Sequence, residues 1–147
     1  MPHNTPSTLL KQFKEIIAPL FEQNGSINSI HLAQKEKLEY FMALLLNRAI
    51  ATSSNPNDQS FGADYIVVSK LVVENNAQLH YWGKIYWLSA PKTHRCHRGF
   101  QDPFYCLISF KNESVEISNG TFGDYSFSDL DSDLWMENNI DWMYDFT

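Results

Sequence analysis

Apolar positions recur at helical spacing through the first third of the chain and alternate with polar ones through the rest. Residues 7–22, "STLLKQFKEIIAPLFE", place Leu9, Leu10, Phe13, Ile16, Ile17, Leu20 and Phe21 along one stripe. Ser7 or Thr8 is suited to cap its start, Pro19 to kink its last turn, and Gly25 to end it. A second stripe, from about Ile30 to Ala51, carries Leu38, Phe41, Met42, Leu45, Leu46 and Ala49 on one face and opens on the wetter "QKEKLE". Two stripes of this kind predict an αα-hairpin, and core packing accounts for both. "TSSNPNDQS" (52–60) then consists of turn-formers and marks a loop.

Beyond it the period changes to two. "YIVVSKLVV" (65–73) is rich in β-branched residues, "ENNAQ" turns the chain, and "LHYWGKIYWLS" (79–89) alternates. That alternation puts Leu79, Tyr81, Ile85 and Trp87 on one face, with Gly83 allowing a bulge or a close approach. "PFYCLISF" (103–110) is a further strand, "KNES" a turn and "VEIS" (115–118) another strand. Asn119-Gly120 reads as a hairpin turn into "TFGDYSF" (121–127). The last twenty residues fit two readings. As a helix from Asp133, the chain lines up Glu137, Asp141 and Asp145 at i, i+4, i+8, which costs about 0.2–0.5 kcal/mol per like-charged pair and sets two acids at the C-terminal end of the dipole. As a strand, "IDWMYDF" alternates without those costs, so a short helical turn near 130–137 followed by a final strand is the preferred expectation. The expected fold is therefore α+β: an N-terminal helical hairpin (7–51) and a mostly antiparallel sheet of four to six strands (64–146), within a single domain spanning 1–147.

Composition changes the picture in two places. At 147 residues, with 44% hydrophobic and 19% charged residues, the chain is a packable globular sequence able to bury about two-thirds of its unfolded surface. Its start shows no signal-peptide pattern, its longest apolar run, "YFMALLL" (40–46), is too short to span a bilayer, and two cysteines make no disulfide framework. A cytoplasmic protein with reduced thiols, away from membranes, is the expectation. The net charge of −6 disfavours nucleic acid as a partner. The charge is also uneven: Asp124, Asp129, Asp131, Asp133, Glu137, Asp141 and Asp145 follow one another to the C-terminus with no Lys or Arg between them.

Candidate chemistry concentrates in "PKTHRCHRGFQDPFYC" (91–106). His94, Cys96, His97 and Cys106 are zinc-ligand types, but they lack the paired spacing of structural sites, and Arg95 and Arg98 oppose a dication. Cys96 beside Arg95 and His97 has the surroundings of a low-pKa thiol, yet no oriented base or oxyanion hole is evident. Cys106, within "FYCLIS", reads as a buried small hydrophobe. Lys92, Arg95 and Arg98 near Phe100 and Tyr105 are suited to phosphate or RNA, against the field of the rest of the chain. No phosphate loop, dinucleotide fingerprint or calcium loop is present. The expectation is a non-enzyme with no metal or cofactor, in which the basic stretch within 91–106 is a solvated connection between two strands, its charges facing the acidic C-terminal region of the same chain.

Protein recognition remains. Tyr81, Trp82, Tyr86, Trp87, Trp135, Trp142 and Tyr144 crowd the second half, and these residue types serve interface cores as well as domain cores. With the acidic stretch they suggest a surface for a basic protein: Asp129, Asp131, Asp133, Glu137, Asp141 and Asp145, anchored by Trp135 and Tyr144. Two helices followed by a sheet with "WGKIYWLSAP", "DPFYCLISF", "FGDYSF" and a closing "IDWMYDF" resemble the small bacterial immunity proteins of polymorphic toxin systems. The resemblance implies a cytoplasmic inhibitor that neutralises a cognate toxin, often a basic nuclease, through an acidic patch. The basic residues 92–98 depart from a purely acidic surface. The alternatives are a small metal-binding protein or hydrolase centred on 94–106, and an acidic mimic of nucleic acid.

Overall fold

The computed structural model describes residues 7–51, 62–89, 101–111, 114–123 and 125–126. Helix α1 (Ser7–Ile17) gives way to a 3-10 helix at Ala18–Glu22, because Pro19 cannot continue the α ladder. Asn24 and Gly25 take positive φ (21° and 102°) and turn the chain into β1 (Gly25–Ser26), a two-residue strand too short to show a period in the sequence. Helix α2 (Leu32–Ala51) follows. Phe13 of α1 meets Phe41 of α2 edge to face, ring centroids 5.6 Å apart, so the two helices pack as the stripes require. Leu38, Phe41, Met42, Leu45 and Leu46 are all buried.

The sheet is a six-stranded antiparallel meander in chain order: β1, β2 (Gly62–Glu74), β3 (Gln78–Ser89), β4 (Gln101–Lys111), β5 (Ser114–Phe122) and β6 (Tyr125–Ser126). The "ENNAQ" turn forms as expected. Asn75 and Asn76 both sit at φ +53°, and Ala77 N–H donates to Glu74 O at 3.1 Å, a type I′ geometry that Asn tolerates well. Asn76 also ties this turn to the helical layer, donating from Nδ2 to Phe21 O at 2.7 Å. The helices cover one face of the sheet, where Ile66, Leu71, Val73, Leu79, Tyr81, Ile85, Trp87, Phe104, Cys106, Ile108, Val115, Ile117 and Phe122 join the helical residues in one core. Leu79, Tyr81, Ile85 and Trp87 do share that face.

One sequence expectation is corrected. Asn119-Gly120 is not a hairpin turn, because the strand runs through it from Ser114 to Phe122. The register passes from Tyr105↔Thr121 to Leu107↔Ser118, so Asn119 and Gly120 together oppose Cys106. Asn119 spends its left-handed φ of +53° on a bulge, and the reversal comes three residues later at Gly123 (φ 61°). The basic stretch 92–98 falls in the sequence between β3 and β4. Its structure, the 52–60 loop and the helix-or-strand question at 130–146 fall outside the described residues.

Where β1 does not reach, the outer edge of β2 is covered by helix side chains in place of a further strand. Beyond β1, which reaches only Val72 and Val73, Asn47 of α2 pairs with the backbone of Ala63 in both directions: Nδ2 donates to Ala63 O at 2.8 Å and Oδ1 accepts from Ala63 N–H at 2.7 Å. Glu39, held by Lys35 one turn before it at 3.4 Å, accepts from Val68 N–H at 2.8 Å. These contacts blunt an edge that would otherwise pair with another chain. Asn47→Ala is expected to cost about 1–2 kcal/mol in urea unfolding, from one orphaned N–H and one orphaned C=O at a half-buried edge. A loss below about 0.3 kcal/mol would show that water replaces the amide without penalty.

Candidate functional site

Pairing places the other set of alternating residues on the face away from the helices. Partners in register share a face, which gives the rows Lys70–Trp82–Tyr105–Thr121 and Val72–His80–Leu107–Ser118, with Val67–Lys84–Pro103 and Tyr65–Tyr86–Gln101 beyond Trp82. Ser69, taken up in a β2 bulge between Val68 and Lys70, shifts the phase of that strand so that Lys70 comes up beside Trp82.

Aromatic rings fill the middle of this face. His80 stacks on Trp82 with centroids 5.6 Å apart and planes 19° apart, and Tyr105 lies 5.3 Å from Trp82. Tyr65 and Tyr86 stack at 4.7 Å. Lys70 Nζ stands 5.1 Å from the centre of the Trp82 ring, within cation–π reach. Trp82 keeps 37% of its surface exposed and Tyr65 keeps 44%, with the backbone beneath both held in the sheet ladder.

Three polar groups form a chain across the same face. His80 Nε2 is hydrogen-bonded to Glu74 Oε1, and His80 Nδ1 lies 2.7 Å from the Tyr105 hydroxyl. With a neutral ring, Nε2–H donates to the carboxylate, so Nδ1 accepts and the phenol donates. The order hydroxyl, imidazole, carboxylate is that of a nucleophile with its base and orienting acid. The electrostatics run against that use. Burial, with smaller contributions from Cys106 and Glu74, raises the Tyr105 pKa above its ordinary value, so the phenol stays protonated at neutral pH. The chain fixes the orientation of His80 and Tyr105 around Trp82.

At one end of the face a cleft of about 410 Å³ is lined by Gly83, Lys84, Gln101, Asp102 and Pro103. Its floor is anchored by a buried bond between β3 and β4, in which Trp87 Nε1–H donates to Asp102 Oδ2 at 2.8 Å.

The residues proposed from sequence fare unevenly. Cys106 is fully buried on the helix-facing side, opposite Tyr81, and burial pushes its thiol pKa far up. It belongs to the core and contributes nothing to a solvent-open site on 94–106. With Cys96 replaced by Ser, the remaining thiol is expected to resist Ellman's reagent in the native state and to react fully once guanidinium unfolds the chain; rapid native labelling would contradict its burial. His94, Cys96 and His97 lie outside the described residues, as do Asp129, Asp131, Asp133, Trp135, Glu137, Asp141, Tyr144 and Asp145. Among the described residues no group of three or more His, Cys, Asp or Glu is placed to hold a metal ion. No described helix is long and apolar enough to cross a membrane.

Sequence reasoning named the aromatic residues of β3 without separating the outer set. The signal was present: if Leu79, Tyr81, Ile85 and Trp87 face inward, His80, Trp82, Lys84 and Tyr86 face outward. Glu74, Tyr105 and Lys70 join them through cross-strand register, which the sequence does not display. No family model matches the chain, and no curated protein or solved structure is significantly similar to it.

Proposed function

We propose that the chain is a non-catalytic binding protein that takes a protein partner on the open face of its sheet, in the manner of an immunity-type inhibitor neutralising a toxin. The observation that supports this is two aromatic groups on one face of a register-locked sheet, Trp82 with Tyr105 and Tyr65 with Tyr86, flanking the Val67–Lys84–Pro103 row, with Trp82 and Tyr65 exposed and Tyr86 and Tyr105 half-buried. Trp82 keeps more than a third of its surface in water, and clustered exposed aromatics mark interaction sites. Trp and Tyr give large contact area for few rotors, which makes them the usual energetic centres of protein interfaces. The acids Asp129, Asp131, Asp133, Glu137, Asp141 and Asp145, with Trp135 and Tyr144, extend the proposed surface in sequence and favour a basic partner such as a nuclease toxin.

The test is affinity for a candidate partner across three variants. Trp82→Ala is expected to weaken the complex by about 2 kcal/mol or more, roughly thirtyfold. Tyr40→Ala, at a helix residue that is 52% exposed, is expected to leave affinity unchanged. Reversing Asp141 and Asp145 to Lys is expected to slow association and leave the fold intact. Unchanged affinity in Trp82→Ala would remove the sheet face as the docking surface.

A further inference from the structure

On the face proposed as the docking surface, the described charges are set apart, positive in the central rows and negative toward the ends. Its centre holds two cations. Lys70 is exposed and lies over the Trp82 ring, and Lys84 is exposed two residues further along β3. Glu74 opposite Gln78, occupied by His80, and Glu116 opposite Ser109 stand at one end of the same face, and exposed Asp64 lies at the other, in the β2 bulge beside Tyr65. The rows around Trp82 therefore present positive charge from a molecule whose net charge is −6.

Resting on the docking-surface reading, we infer that the partner element seated on this face is an extended acidic segment carrying a large aromatic side chain. Three features converge on it. Lys70 already occupies a face of the Trp82 ring, so a lysine or arginine brought there meets like charge, whereas a carboxylate meets a cation held in place. Lys70 is directly opposite Trp82 and Lys84 is two residues on, a diagonal spacing of about 7–8 Å that matches the repeat of alternate side chains along an extended strand. The cleft beside Lys84, about 410 Å³ and lined also by Gly83, Gln101, Pro103 and Asp102, whose carboxylate accepts from Trp87 Nε1–H, offers room for one aromatic ring next to that second charge. A partner that also meets the acids between Asp129 and Asp145 thus shows charges of opposite sign to two parts of this chain, which fixes its orientation on docking.

The probes are a synthetic ten-residue peptide with two glutamates at alternate positions and one tryptophan, its twin with lysines for the glutamates, and its twin with alanine for the tryptophan. Each is titrated into the full chain while the Trp82 indole N–H resonance is followed by NMR. The glutamate peptide is expected to shift that resonance and to bind at least about tenfold more tightly than the lysine twin at low ionic strength, the advantage shrinking as salt rises. Alanine in place of the peptide's tryptophan is expected to weaken it further. Lys84→Glu alone should reduce the preference, and Lys70→Glu with Lys84→Glu should invert it. If the lysine twin shifts Trp82 as strongly as the glutamate peptide or more so, the acidic-segment inference fails while the docking face stands. If no peptide moves Trp82, both are overturned.

Discussion

Gly83→Ala is expected to destabilise the protein by about 3 kcal/mol or more, the largest effect of any single methyl addition proposed for this chain. A β-carbon at this position would stand 2.6 Å from Val67 O, 2.9 Å from Tyr81 Cε1 and 3.4 Å from Ile66 Cγ2. The first neighbour is backbone of the paired strand and cannot swing aside. Relief requires β2 and β3 to part at the middle of their ladder. The second neighbour is the ring of Tyr81, fully buried, whose hydroxyl donates to Ile66 O at 3.0 Å. The ring crosses the space a side chain at 83 would occupy in order to reach that carbonyl, so the glycine and the tyrosine act as one unit. Tyr81→Phe, which removes only the hydroxyl, is expected to cost about 1–2 kcal/mol by leaving the carbonyl without that donor. It should not rescue Gly83→Ala, because the clash with Val67 O remains. Denaturant unfolding of the two single variants and the double variant checks both statements. A loss below about 1 kcal/mol for Gly83→Ala would mean that the strands yield there more easily than this packing implies.

Alkaline pH is expected to remove several kcal/mol of stability through two buried groups. Burial raises the Cys106 thiol far above its ordinary value of 9.0. The Tyr81 phenol rises well above 10.0, chiefly by burial, with repulsion from Cys106 and Glu39 adding to it. In both cases the folded chain keeps its proton to higher pH than the unfolded chain does. The stability they give is therefore fully present below the unfolded values and is lost as pH rises above them. Between the ordinary values of Cys106 and Tyr81 the unfolded state binds one proton fewer, and stability falls by about 1.4 kcal/mol per pH unit. Above the Tyr81 value the slope roughly doubles. Unfolding free energies measured from neutral pH to pH 11 should show both breaks, and Cys106→Ala should remove the first. A flat profile to pH 11 would contradict the burial of these groups.

Much of the scaffold was legible in the sequence because it depends on local periodicity. The stripe from Leu38 to Leu46 and the inward set Leu79, Tyr81, Ile85 and Trp87 can be read from spacing alone, and each faces the core. What escaped depends on partners distant in sequence. Asn119-Gly120 has the composition of a hairpin turn, and only its place opposite Cys106 makes it a bulge. Glu39 and Asn47 look like ordinary polar positions of an amphipathic helix until β2 brings Val68 and Ala63 beneath them. The outer face is the same kind of case: Glu74, His80 and Tyr105 are spread over thirty-two positions and meet through two strand pairings. The acidic stretch that dominated the sequence reading lies outside the described residues, and the aromatic face was found only once register was known.

Docking of a partner on the outer sheet face is tested most directly by photo-cross-linking in the cells that make the protein. A benzophenone amino acid is placed at position 82 in one variant, at 40 in a second as an exposed control on the helical layer, and at 141 in a third within the acidic stretch. A defined adduct is expected from position 82, none from position 40, and loss of the position-82 adduct when Lys70 and Lys84 are reversed to Glu. An adduct of equal yield from positions 40 and 82, or one from position 141 with none from position 82, would contradict docking on that face.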